Sequence, residues 1–149
     1  MAASIRAVWA DTVLNAERQY VARTLAWAAL SIVAATGIAV TLAGRRIRSP
    51  VLVHFAVQLG GWGLVLGLIG AMEWQGLHLR DLASATRLER ATWTRVGFDV
   101  GVIGMGAVLA GASRWLGRSL AGMGAGAGLA VQGAALLFID LQLVAAVSR

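Results

Sequence analysis

The sequence predicts an all-α membrane protein, a bundle of four transmembrane helices preceded by an amphipathic helix at the membrane surface. Charged residues make up only 13% of the 149 residues and hydrophobic residues 58%, whereas a soluble domain has about 25% charged residues. Four apolar segments cover most of the chain, over residues 20–44, 51–72, 94–113 and 119–147. About 20 such residues cross a hydrocarbon core of about 30 Å as a helix. Because backbone groups in lipid must be paired within the segment, we expect one integral membrane domain over residues 1–149.

The first 19 residues have the pattern of an amphipathic helix. Residues of one helical face recur three or four apart, at Ile5, Val8, Trp9, Thr12, Val13 and Ala16. Trp9 suits the boundary between lipid headgroups and acyl chains. We therefore expect this segment to lie on the membrane surface and then turn into the first span, or alternatively to pack against neighbouring protein.

The connections between the spans carry helix signals. Ser49 followed by Pro50 is typical of an N-cap and a first helical residue. Ser119 is placed to cap the fourth helix. The middle connection, residues 73–94, is the longest and has a helical pattern from Asp81 onward.

The arginines set the expected orientation. With four spans, both termini and the middle connection share one side, which carries eight arginines: Arg6, Arg18, Arg23, Arg80, Arg87, Arg90, Arg95 and Arg149. The two short loops carry five: Arg45, Arg46, Arg48, Arg114 and Arg118. Basic residues are retained on the cytoplasmic side, so the count places the termini in the cytoplasm.

Composition excludes several classes of function. The net charge of +6 comes from arginines at helix ends and in loops, which is anchoring of a membrane protein rather than a nucleic-acid surface. The absence of cysteine excludes thiolate metal sites and disulfides. His54 and His78 fall on opposite membrane sides, so they do not form a bis-histidine haem site, and no zinc ligand set or nucleophile–base pair is present. We expect no catalytic residue, no metal and no cofactor.

Ionisable residues inside the spans are the first candidate site, because each is costly in lipid unless it is paired or wet. Asp99 and Asp140 fall at similar depth on the side of the termini, and Arg95 lies one helical turn before Asp99. The predicted cluster consists of Glu17, Arg18, Arg23, Arg95, Asp99 and Asp140. It is interpreted as a structural clasp of ion pairs between helices, with a proton- or cation-handling site and docking to another subunit as alternatives.

A second polar group follows the second span. His54, Gln58 and Trp62 recur every four residues, and Gln132 lies near the middle of the fourth span. If these two stripes face each other, a broken polar line connects His54 to Asp140. Glutamine bonds between helices favour a packing role, and a conduction path is the alternative.

Glycines at four-residue spacing predict close helix packing, at Gly63, Gly67, Gly97, Gly101, Gly122 and Gly126. Helix four also alternates glycine from Gly122 to Gly128. The glycines of helices three and four fall at opposite ends of that antiparallel pair, so they are expected not to oppose each other. We therefore expect another chain to cover at least one glycine face, with Gly126→Leu disrupting that assembly.

Short motifs resemble an uncharacterised family of small bacterial four-helix membrane proteins. They are Glu17-Arg18, Trp62, Phe98-Asp99-Val100-Gly101, and Gln132-Gly133 through Leu136-Leu137-Phe138-Ile139-Asp140. The family tends to carry asparagine in the second helix, where this chain has Gly61 and Gly63. The resemblance implies the four-helix fold and these polar positions, without an assigned activity. For the protein itself, we expect residence in the bacterial cytoplasmic membrane.

Two classes of function fit these features. The first is a non-enzymatic structural or accessory subunit, packed in a membrane complex of respiratory or photosynthetic type or with copies of itself. The alternative is a small proton or cation transporter or channel that uses Asp99 and Asp140. Without a proline-broken span or an inverted repeat, features common in transporters, the sequence favours the first. The expected partners are the lipid bilayer and other membrane subunits.

Overall fold

A computed structural model describes the backbone of residues 2–148 and the side chains of residues 8–148. It contains α1 (Ala2–Gly44), α2 (Pro50–Gln75), α3 (Leu82–Trp115) and α4 (Leu120–Val147). All four are long and apolar enough to cross a membrane, and the described residues contain no strand. The prediction of an all-α, four-helix fold is confirmed.

Three helices begin at side-chain caps. Ser49, Asp81 and Ser119 have extended backbones, and each side chain accepts the N–H of the residue three positions ahead. These bonds satisfy donors that a helix start leaves free. The predicted caps at Ser49 and Ser119 are therefore present, and α3 begins at the predicted Asp81, well before its apolar segment.

The predicted surface helix is not a separate element. α1 is one continuous helix of 43 residues, about 64 Å long at 1.5 Å per residue, and it has no turn between the lead-in segment and the span. Within the lead-in, Val13 and Glu17 are buried while Val8 is exposed. The side chains of Ile5, Arg6 and Arg149, which entered the sequence arguments, lie outside the described ones.

α4 is the central helix of the bundle. It packs against α3, α2 and α1, and α1 also packs against α2. Among the described residues, α3 packs extensively only along α4. The start of α1, the end of α4 and residues 76–81 lie at one end of the bundle, here called the termini end, and residues 45–49 and 116–119 lie at the other, the loop end.

The glycines of α4 explain its central position, and they correct the expectation about α3. A Cβ added to Gly126 would lie 2.5 Å from the carbonyl oxygen of Gly106, so these two glycines do oppose each other. Gly124 lies against Val51 of α2, and Gly128 against Gln58 of α2. Residues two apart in a helix point in nearly opposite directions, so the alternation gives α4 a smooth surface toward both neighbours rather than one bare side.

Two apolar clusters complete the interior. Tyr20 and Val21 of α1 pack with Ile139 and Leu143 of α4 toward the termini end. Ala35 of α1 packs with Ala56 and Leu59 of α2 toward the loop end. The first cluster lies next to the polar residues described in the following section.

Candidate functional site

α1 presents a buried polar stripe to the rest of the bundle. Glu17, Tyr20, Thr24 and Ser31 are all buried, and their spacings of three, four and seven residues place them on one helix face. Thr24 donates to the carbonyl of Tyr20 within the helix, whereas the other three side chains reach groups outside α1. Through Glu17, Tyr20 and Ser31, this face makes polar contacts between α1 and the rest of the bundle.

Arg95 of α3 joins three helices at this end. Its Nη1 donates to the Tyr20 hydroxyl at 2.8 Å, and its Nη2 donates to Glu73 Oε1 at 2.8 Å. Glu73 lies in the last turn of α2, and the guanidinium carbon lies 5.5 Å from the centre of the Tyr20 ring. A planar guanidinium suits both contacts, because it donates in its plane and stacks on an aromatic face.

Asp99 and Asp140 form a buried carboxyl pair beside Arg95. Each residue is only 3% exposed. The Asp140 carboxyl has the Asp99 carboxyl and the Tyr20 hydroxyl as neighbours. Asp99 Oδ2 and Asp140 Oδ1 are buried without a hydrogen-bond partner among the described residues. Buried carboxyl oxygens normally have partners, so this pair has unused binding capacity.

A second ion pair closes the termini end. Arg80 Nε and Nη2 donate to the two oxygens of Glu17, both at 2.7 Å, in the bidentate geometry that makes such pairs strong. The Glu17 carboxylate raises the pKa of Arg80 above its usual value. Arg80 lies in the connection between α2 and α3, so this pair fixes that connection to α1.

A cavity of about 240 Å³ lies between the two ion pairs. Its polar lining consists of Glu17, Tyr20, Glu73, Arg80 and Arg95, with apolar walls from residues that include Leu77 and Leu143. Polar partners and this volume are what a cluster of water molecules needs. Because Tyr20 lines the cavity and also reaches Asp140, it connects the cavity to the carboxyl pair.

The predicted charge cluster is therefore present in part. Arg95, Asp99 and Asp140 are together as predicted. Arg95 forms its ion pair with Glu73 rather than with either aspartate, and Glu17 pairs with Arg80. Arg18 and Arg23 are exposed, and Arg23 bonds to Gln19 one turn earlier in its own helix.

Three members of the site were missed in the sequence: Tyr20, Glu73 and Arg80. Tyr20 was detectable, since it continues the polar spacing that runs from Glu17 to Ser31. Glu73 and Arg80 were assigned to the long connection, where charged residues are ordinary. α2 extends three residues beyond its predicted end, to Gln75, and this extension places Glu73 on a helix facing Arg95.

The predicted polar stripe does not form a line across the membrane. His54 is exposed on the outer side of α2, and Gln58 and Trp62 are half-buried. Gln132 is fully buried: its Oε1 accepts from Trp27 Nε1 at 2.7 Å, and its Nε2 donates to Ser31 Oγ at 3.2 Å. These bonds tie α4 to α1, which is the packing arrangement favoured by the sequence.

The predicted packing glycines divide into two groups. Gly63 lies against Ala28 and Ile32 of α1, Gly67 approaches Ala28 at ordinary contact distance, and Gly122 lies against Ser113 of α3. Gly97 and Gly101 of α3 have open space where a Cβ would be. Close packing within the chain therefore accounts for the glycines of α2 and α4 but not for these two.

Four apolar helices with caps in their connections and a set of buried polar side chains between them define this chain as a four-helix membrane protein. Residues 23–141 match a family of unknown function, DUF6992. Because the match covers most of the chain, the protein belongs to that family. The matched region contains Arg95, Asp99, Gln132 and Asp140, while Glu17 and Tyr20 precede it. No curated protein and no solved structure matches the chain significantly.

Proposed function

We propose that the protein is a non-enzymatic integral membrane subunit that assembles with another transmembrane helix through the outer face of α3. The observation that carries this proposal is the group of open glycines on α3. Gly97, Gly101 and Gly104 are exposed, and each has open space where a Cβ would be. Spacings of four and three residues place them on one side of the helix.

This glycine face points away from the rest of the bundle. Residues of α3 that contact α4, such as Asp99, Val102 and Gly106, are buried, and they lie on the opposite side of the helix from Gly97 and Gly101. Exposed Val100, Met105 and Val108 stand beside the glycines. A groove of bare backbone bordered by larger side chains lets a second helix approach closely, whereas lipid tails fill it poorly.

The proposal also covers the membrane in which the protein resides and the partner that it binds. We propose residence in a bacterial cytoplasmic membrane with cytoplasmic termini, following the arginine distribution. The partner is a helix of a larger assembly, of the respiratory or photosynthetic type, or a second copy of this chain. Neither role requires a catalytic residue or a cofactor.

Cysteine crosslinking in native membranes tests the proposal, since the natural chain contains no cysteine. Gly101→Cys should give a crosslinked product with a partner helix. Gly61→Cys of α2 is the matched control, because Gly61 is also exposed with open space beside it. The product identifies the partner by mass: twice the chain for self-association, and a larger adduct for another subunit.

Two results would contradict the proposal. A crosslink that is equally strong from Gly61→Cys would indicate random collision. If the chain is a monomer at native expression level and Gly101→Cys gives no crosslinked product, the glycine face is covered by lipid alone.

The second candidate function, a small proton or cation transporter or channel, is favoured by the buried pair of Asp99 and Asp140. The pair lies inside the spans and reaches the cavity at the termini end through Tyr20. Toward the loop end, Gln132 is bonded to Trp27 and Ser31, and His54 points outward. Proton flux into liposomes containing the purified chain, lost in Asp140→Asn, is the result expected of a transporter.

A further inference from the structure

We infer that Asp99 and Asp140 together bind one proton and exchange it with water in the cavity at the termini end through the hydroxyl of Tyr20. This inference does not depend on assembly through α3, and it does not require that the proton cross the membrane.

The first step is the geometry of the carboxyl pair. Two neighbouring carboxyl groups can form a hydrogen bond with each other only if one of them carries a proton, because an ionised carboxylate only accepts. Asp99 and Asp140 are each 97% buried, being 3% exposed, so water does not separate their charges. Like-charged carboxylates in one buried site favour retention of a proton.

The second step is the charge balance around the pair. The facing groups are Tyr20 from α1, Glu73 from α2, Arg95 from α3 and the two aspartates themselves. Arg95 is the one cation among them, and it forms its ion pair with Glu73 at 2.8 Å. Two ionised aspartates would leave the group with a net charge of −2, whereas one shared proton reduces it to −1.

The third step is the direction of the hydrogen bond at Tyr20. The Tyr20 oxygen accepts from Arg95 Nη1 at 2.8 Å. Its own hydrogen is therefore free to turn toward the neighbouring Asp140. Arg95 has no acceptor capacity, so the direction from Arg95 to Tyr20 is fixed, and the order that we infer continues from Tyr20 to Asp140.

The exchange step follows from that order. A proton carried by cavity water adds to the Tyr20 oxygen as the phenolic hydrogen passes to Asp140, so the phenol is regenerated and the pair gains one proton. Release is the reverse. The unpartnered oxygens, Asp99 Oδ2 and Asp140 Oδ1, are positions where the shared proton or a water molecule can bind.

Infrared difference spectroscopy of the purified chain in lipid tests the inference. At neutral pH the wild type should show the C=O band of one protonated carboxyl, and the band should disappear in Asp99→Asn and in Asp140→Asn. Asp81→Asn is the matched control, since Asp81 is an exposed acid whose capping bond asparagine also makes. That control should keep the band.

The relay is tested separately, in variants that leave the carboxyl pair intact. Tyr20→Phe should keep the band and slow its exchange with heavy water, by about a hundredfold, the low end of what a positioned proton-transfer group contributes. Leu77→Trp narrows the cavity and should also slow exchange. Melting temperatures of all variants report whether each chain is folded.

Three outcomes would overturn the inference. Absence of the band in folded wild-type protein would mean that both carboxyls are ionised. A band that persists in both asparagine variants would place the proton elsewhere. Unchanged exchange in folded Tyr20→Phe would exclude the hydroxyl as the route.

Discussion

Gln132 shows how a single amide connects three helices. Its side chain bonds to Trp27 and Ser31 of α1, and its Nε2 also lies 3.5 Å from the carbonyl oxygen of Leu59 of α2. An amide in a fully buried position has to satisfy its donors and its acceptor at the same time. The position therefore specifies the rotation of α4 relative to α1 as well as its distance.

Replacing Gln132 with methionine should destabilise the bundle by about 1–2 kcal/mol. The variant keeps the side-chain volume but leaves Trp27 Nε1 without its acceptor, and hydrogen bonds between membrane helices contribute about 0.6 kcal/mol each on average, with a maximum of about 1.7. Unfolding in mixed micelles measures the change. Combining it with Trp27→Phe should cost less than the sum of the two single changes, and full additivity would show that the bond contributes nothing.

The Glu17–Arg80 pair makes a second prediction for single residues. Arg80→Gln leaves the Glu17 carboxylate, which is 5% exposed, without its bidentate partner. We expect a loss of about 1–3 kcal/mol in the free energy of unfolding, the usual cost of a buried polar group left unpaired. Arg87→Gln, an exposed change on α3, should have little effect. Equal effects from both variants would mean that general charge, rather than this pair, determines stability.

At the scale of elements, the α3–α4 hairpin depends on glycine more than on hydrophobic side chains. A Cβ on Gly126 would meet both the carbonyl oxygen of Gly106 and the amide of Ala110, each at 2.5 Å. These atoms belong to the backbone, so neither can move aside without shifting a helix. Gly126→Leu, which the sequence suggested as a test of assembly, would therefore disrupt the folded chain itself.

Gly126→Ala should lower stability by about 1–3 kcal/mol, the range for overpacking a tight interior. Gly61→Ala of α2 is the matched control, since Gly61 is exposed with open space beside it and lies outside the proposed assembly face, so this change should be neutral or slightly stabilising through helix propensity. Thermal melting of the two variants in the same detergent makes the comparison. Loss of stability in Gly61→Ala alone would mean that close packing is assigned to the wrong glycine.

The start of α3 should respond to pH. Ser84 donates to the Asp81 carboxylate from both its N–H and its hydroxyl, which lowers the pKa of Asp81. A group with a lowered pKa in the folded state contributes stability above its unfolded pKa and loses it as pH falls. Amide hydrogen exchange in the first turn, corrected for intrinsic rates, should therefore be better protected at neutral pH than below about pH 4. In Asp81→Asn that difference should be absent, and a difference of the same size in the variant would assign it to another group.

At the scale of the whole molecule, the four helices require that both termini and the α2–α3 connection share one side of the membrane. Reporter fusions after Ser148 and within residues 76–81 should therefore give the same signal, and a reporter within residues 45–48 the opposite one. From the arginine distribution we expect the first signal to be cytoplasmic. Opposite signals from the first two fusions would exclude an even number of spans between them.

Much of this fold follows from local rules, which is why the sequence predicted it. Apolar length determines the spans, and Ser49 and Ser119 mark helix starts because a cap depends on neighbouring atoms alone. The continuous α1 was missed, since amphipathic spacing does not report whether a helix bends at the membrane surface. The pairing of Gly106 with Gly126 was missed because it depends on the relative shift of two helices along their axes.

The sequence predicted only those residues of the candidate site that are identified by being charged inside an apolar span. Asp99 and Asp140 stand out because a charge inside a span needs an explanation, and Arg95 follows from its position one turn away. Which acid Arg95 pairs with depends on how far α2 continues, and the sequence placed Glu73 outside the helix. Sequence spacing also gave Arg23 the same weight as Arg95, although α1 points Arg23 outward.

The central position of α4 sets the order in which the chain becomes a folded protein during synthesis. α4 is made last, yet it is the helix against which the other three pack. Until α4 leaves the ribosome and enters the membrane, Trp27 and Ser31 lack their hydrogen-bond partner, the amide of Gln132. During that time α3 has no helix along which to pack. A ribosome that stops before Leu120 therefore leaves α1 and α2 packed together and α3 without a packing partner. The polar side chains that α4 would have covered stay exposed in the membrane, where quality-control proteases can recognise them.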